Sequence, residues 1–136
     1  MRYLGVDFGL RHVGLAIGEK IPHEYGTLEA KNSQELILEI SKICQKEKIE
    51  TIIIGMPPKR TSQADSPALI ATQNFVSALG TSLEIPIKTV DESFSSVEAE
   101  MILSDAGIDW RKAKTRVHQL SAVLILNQYL ASLERK

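Results

Sequence analysis

A chain of 136 residues and 15.1 kDa has room for one hydrophobic core and is too short for two lobes closing on a ligand. Sixteen basic against seventeen acidic residues give a formal charge of -1, which excludes a nucleic-acid binder working by overall charge and leaves any such surface to a local patch. One cysteine, Cys44, excludes a disulfide framework, and no apolar run approaches the length of a membrane span.

The N-terminus opens directly into a strand without a charged leader, so a soluble cytoplasmic protein with no membrane partner is expected. Tyr3 to Asp7 and Val13 to Gly18 are apolar runs joined by a short connection bearing Gly9, the pattern of an antiparallel hairpin. A third strand is expected over Tyr25 to Glu29. Asn32 or Ser33 caps a helix with Glu35 in its first turn, and positions 36, 37, 40, 43 and 44 form one apolar face through Lys46. Cys44 lies on that face and reads as a core filler.

Thr51 to Gly55 is continuous and β-branched, as suits a central parallel strand buried on both faces. Residues 56 to 66 carry prolines, polar groups and no periodicity, so they form a loop, basic at its tip, that Ser66-Pro67 ends by starting a second helix. Leu69, Thr72, Phe75, Val76 and Leu79 mark its length. Ile85 to Val90 is a strand ending on Asp91-Glu92. Ser95 or Ser96 then caps a short helix running to Ala106-Gly107, with Glu98 near its start. A basic stretch, 110 to 116, leads into a last helix, Val117 to Leu133, whose "AVLIL" middle is apolar all round and must be buried. No repeat, linker or low-complexity tract divides residues 1–136, so a single domain is expected.

This order predicts an α/β fold with a mixed five-stranded sheet, three antiparallel strands continued by two parallel ones, flanked by helices. Sites in such sheets form at strand ends. Asp7 closes the first strand and Asp91-Glu92 the last, and a right-handed crossover puts both ends on one edge. Two carboxylates meeting there can hold a hard divalent cation, which neutralises otherwise costly, mutually repelling charges. Adjacent strand residues face opposite sides, so either Asp91 or Glu92 can be the second carboxylate.

Four stretches then come in order: Asp7-Phe8-Gly9 with Arg11; Gly55-Met56-Pro57; "DESFSSVEA" at 91–99; and "TRVHQLSAVLIL" at 115–126. Together they resemble the YqgF family, also called RuvX, of the ribonuclease H-like superfamily, over essentially the whole chain. That family opens with D-F-G or D-L-G, a small hydroxyl residue and a basic one, so Leu10 departs from its pattern. The resemblance implies a ribonuclease H-like fold and a nuclease site with three catalytic, metal-binding positions: Asp7, Glu92 and His118, with Mg²⁺ or Mn²⁺ as the metal. The family's usual residue at the third position is aspartate. Histidine weakens charge neutralisation at an oxygen-loving Mg²⁺ site and is better tolerated by Mn²⁺. Ser93 stands where the family has arginine, removing a charge that could hold phosphate or a neighbouring carboxylate.

Hydrolysing a phosphodiester at a metal site needs an activated water, stabilised phosphoryl charge and in-line geometry. Arg11, Lys59, Arg60, Lys112, Lys114 and Arg116 are the candidate substrate-binding residues, because positive side chains must counter the nucleic-acid backbone. The resemblance implies maturation of the 5′ end of precursor 16S ribosomal RNA, or alternatively Holliday-junction resolution on branched DNA, where symmetric cleavage would call for a homodimer. Plainer readings stand beside these. Asp7 could cap a turn, His118 could be an exposed residue near a helix start, and Trp110 could anchor its connection by burial. Asp7-Phe8-Gly9 with Arg11 also suits the first phosphate loop of actin-like and sugar kinase ATPases, but no second glycine-rich loop follows. A nucleic-acid-binding module that has lost its ligand set is the third possibility.

Overall fold

The computed structural model describes residues 1–29, 32–57, 66–92, 101, 104, 105, 107 and 114–134. Its elements are β1 (Tyr3–Phe8), β2 (His12–Gly18), β3 (His23–Glu29), α1 (Ser33–Glu47), β4 (Thr51–Met56), α2 (Pro67–Ser82), β5 (Ile87–Asp91) and α3 (Lys114–Glu134). The sheet order is β3-β2-β1-β4-β5. β1 is antiparallel to β2 and β2 to β3, whereas β4 is parallel to both β1 and β5. This is the mixed five-stranded sheet expected from the sequence. The short helix expected between Ser95 and Ala106 lies largely outside the described residues.

Strand ends differ from the sequence pattern for local reasons. β1 continues one residue past Asp7 because Phe8 pairs with Val13 and stacks on Phe75, ring centroids 4.5 Å apart. β3 starts at His23, which pairs with Ile17 beyond an irregularity at Leu15/Ala16. β5 starts after Pro86, which has no N–H to donate and instead accepts from Ile52 N at 3.0 Å. Helix starts follow the capping signals: Asn32 Oδ1 accepts from Glu35 N at 2.8 Å, and Ser66 Oγ from Leu69 N at 3.1 Å. Each such cap is worth about 1 kcal/mol.

Alternation along the strands divides the core into two layers. Leu4, Val6, Val13, Leu15, Ile52 and Ile54 face α1 and α2, meeting Leu36, Ile40, Cys44, Phe75 and Leu79. Tyr3, Ala16 and Ile53 face α3, meeting Ala122, Ile125 and Leu126. Burying Ile125 and Leu126 contributes about 1.5–3 kcal/mol each. The helix is not buried all round as its composition suggests. Val123 and Leu124 are only half-buried, because α3 lies on one sheet face and not between two layers.

α3 approaches the sheet closely at the points where the strands beneath it carry glycine. A Cβ on Gly5 would stand 2.6 Å from Leu126 Cγ and 2.8 Å from the Ala122 carbonyl oxygen, and one on Gly14 would overlap the His118 carbonyl. Glycine is required here by close packing. In consequence residue 118 is held directly over β2, whose Gly14 pairs with Asp7. Among the described residues no helix is long and apolar enough to cross a membrane.

Candidate active site

Asp7 and Glu92 meet on the α3 face. The register pairs Gly55 with Val90, and Val90 packs with the residues under α3. Two residues further on, Glu92 therefore returns to that face, and Asp91 turns to the other. Ladder bonding continues to this point, since Glu92 N donates to the Met56 carbonyl at 3.0 Å. Asp91 is exposed, and its backbone carbonyl accepts from Gln128 Nε2 at 2.5 Å, tying the end of β5 to α3. Of the two carboxylates that close the last strand, Glu92 is the one beside Asp7.

Burial first, then the Asp7 charge and a hydrogen bond between the two side chains, push the Glu92 carboxyl up from 4.5 to about 7. The pair therefore retains a proton where an isolated glutamate would have lost it. His118 Nδ1 lies 3.7 Å from Asp7 Oδ2, within reach of an ion pair and too far for a hydrogen bond. α3 begins at Lys114, earlier than the expected Val117, so His118 sits one turn inside the helix. Lys114 and Arg116 have good helix propensity and extend it backwards.

Asp7 thus contacts Glu92 on one side and His118 on the other. Among the described residues, however, no three His, Cys, Asp or Glu side chains are assembled to hold a metal ion as they stand. The donor chemistry does suit a hard divalent cation. Two carboxylates share an edge of the sheet, burial and the Asp7 charge disfavour ionisation of Glu92, and a cation would favour the ionised pair.

The expected basic surface is described only in part. Arg11 is exposed in the β1–β2 connection. Arg116 is exposed too, but its Nη2 pairs with Glu24 Oε2 at 3.2 Å. Lys59, Arg60 and Lys112 lie outside the described residues, and Lys114 is described as the first residue of α3 only. Two further residues border the site. The His12 ring lies 5.6 Å from that of His118, tilted by 43°, and Gly55 borders the Glu92 carboxylate. Alternation in β2 puts His12 on the face of Asp7, since it stands two residues before Gly14, the partner of Asp7.

Residues 1–132 match the family described as "RuvX: Holliday junction resolvase". The chain belongs to this family. A relative from Halothermothrix orenii, named "Putative pre-16S rRNA nuclease", is 35% identical over 133 residues, covering 96% of this chain and 94% of its own. A relative of the same name from Mycoplasma mobile is 36% identical over 135 residues, covering 96% and 92%. Among solved structures, RuvC of T. thermophilus in complex with a Holliday junction substrate aligns over 100% of this chain and 97% of its own, with a TM-score of 0.63 and 10% identity. The Fowlpox virus resolvase bound to Holliday junction DNA aligns over 98% and 99%, with a TM-score of 0.60 and 11% identity. At such low identity these two likenesses concern the fold, which they share with this RuvX chain. Its relatives mark it as a nuclease, a hydrolase of phosphodiester bonds.

Proposed function

We propose that this RuvX chain is a metal-dependent endonuclease that cuts precursor 16S ribosomal RNA near its 5′ end. The substrate follows from the name shared by its relatives. The observation that carries the chemistry is the Asp7–Glu92 pair at the strand ends. Asp7 and Glu92 would hold the cation, Mg²⁺ or Mn²⁺, with His118 as the third donor. A bound cation supplies Lewis-acid stabilisation of phosphoryl charge and lowers the pKa of a coordinated water.

The remaining work falls to this chain's own side chains. Glu92 would hold the cation as the carboxylate, its proton passing to solvent, and Asp7 orients it through the contact between the two side chains. His118, whose Nδ1 lies towards Asp7, would reach the same cation through that nitrogen as a neutral imidazole. Arg11, Lys59, Arg60, Lys112, Lys114 and Arg116 would neutralise backbone phosphates. Arg116 must first exchange Glu24 for a phosphate, which is an inexpensive step for an exposed pair.

A second reading, resolution of branched DNA, is favoured by the family description. It would need two copies of the site, hence a homodimer, to cut opposite strands symmetrically. Cleavage of a precursor 16S fragment and of a four-way junction, in Mg²⁺ and in Mn²⁺, tests both. The expected result is RNA cleavage near the mature 5′ end by the native chain and none by Asp7→Asn. Junction cleavage alone by a dimer would replace the ribosomal reading with the second. Cleavage of neither would leave the binding module.

A further inference from the structure

We propose that Gly55 is a positioning residue for Glu92: the missing side chain at this point in β4 keeps open the space in which the Glu92 carboxylate stands beside Asp7. The proposal rests on the metal-dependent reading of the site given above.

In β4 Gly55 follows Thr51 to Ile54, all β-branched, and it is itself buried. Glycine in a buried strand is unfavourable unless something requires it. Backbone conformation is not the requirement, because among the described residues Gly107 is the glycine with positive φ. Space is what remains. A Cβ here would stand 2.8 Å from Glu92 Oε1, 2.5 Å from Ile125 Cδ1 and 2.9 Å from Ile125 Cγ1.

These neighbours distinguish Gly55 from Gly5 and Gly14. At those positions the obstruction includes backbone of α3, so a methyl would force the helix away from the sheet. At Gly55 both obstructions are ends of side chains. Ile125 is fully enclosed in the layer under α3, and moving it strains a packed core. Glu92 is half-exposed, and rotating its carboxylate outwards moves it towards water and away from Asp7. A methyl at position 55 is therefore accommodated mainly by withdrawing Glu92. The fold survives and the site is opened.

Two variants separate this role from simple packing of Ile125. Ile125→Val alone removes Cδ1, the atom nearest to the added Cβ, and combining it with Gly55→Ala leaves Glu92 Oε1 and the retained Cγ1 as the remaining obstructions. Crystal structures of both apo proteins and calorimetric titration with Mn²⁺ provide independent readouts. In the double variant, α3 should stay in place and the Glu92 carboxylate should be withdrawn from Asp7. Mn²⁺ affinity should fall about tenfold or more relative to Ile125→Val, the size typical of losing a group that orients a ligand. An unmoved Glu92 with unchanged Mn²⁺ affinity would overturn the proposal. So would loss of the folded state in the double variant, since Gly55 would then serve the core. A displaced Glu92 in a protein whose native form binds no Mn²⁺ would uphold the positioning role and refute the metal-dependent reading instead.

Discussion

Replacing Glu92 by Gln tests the carboxylate pair through stability, independently of any substrate. In the native chain the Glu92 carboxyl is raised from 4.5 to about 7, first by burial and then by Asp7. The folded state therefore binds this proton more tightly than the unfolded state. Its stabilising contribution is complete below about pH 4.5, is lost as pH rises through about 7, and is absent above that. A fully enclosed carboxyl displaced this far would carry about 3 kcal/mol, at about 1.4 kcal/mol for each pH unit. Glu92 is only half enclosed, so solvent screening reduces the expectation to about 1–2 kcal/mol.

Glutamine keeps the shape and the hydrogen-bonding capacity but cannot ionise. Urea or thermal unfolding of both proteins in EDTA, from pH 4.5 to 8.5, isolates Glu92 as the difference between two curves, because every other titrating group is common to them. The curves should meet near pH 4.5 and diverge as pH rises. Above pH 7.5 the Gln variant should be more stable by about 1–2 kcal/mol, a few degrees in Tm for a chain of this size. Saturating Mg²⁺ or Mn²⁺ should stabilise the native chain above pH 7 and do little for the variant. Parallel curves, or a native chain that is the more stable one at pH 8, would refute the account of a carboxyl held beside Asp7.

Three further outcomes follow from the same geometry. Asp7→Asn should reduce cleavage to background while leaving the apo protein as stable as the native chain or more so above pH 7, as unfolding and cleavage assays in parallel would show. His118→Asp should shift the Mn²⁺/Mg²⁺ affinity ratio towards Mg²⁺, measured by calorimetric titration, because an oxygen donor replaces imidazole beside Asp7. Gly14→Ala should destabilise by about 3 kcal/mol in urea unfolding, since its Cβ meets the His118 carbonyl and neither backbone can yield cheaply.

Alternation, capping and β-branched runs carry most of the fold because they are local. Thr51 to Ile54 reads as an interior strand without reference to anything else, and the Asn32 and Ser66 caps fall where the side chains can reach the free N–H groups. The end of β1 is less legible, since what carries it past Asp7 is Phe75, on a helix distant in sequence. Residues 122 to 126 show the same limit. Their composition suggests full burial, but which side is covered depends on α3 having a single sheet face to pack against.

The site divides along the same line. Asp7 is visible as a carboxylate ending an apolar strand, but the choice between Asp91 and Glu92 turns on one step of register against β4, which local pattern leaves open. The glycines were the least legible members. In the sequence Gly5, Gly14 and Gly55 look like interruptions of good strands, each with a local cost. Seen under α3 they form one device. Gly5 and Gly14 let the helix descend until His118 lies beside Asp7, and Gly55 leaves room for Glu92. The three candidate side chains come from three separate parts of the chain. What brings them to one edge is the set of places where the sheet has no side chain at all.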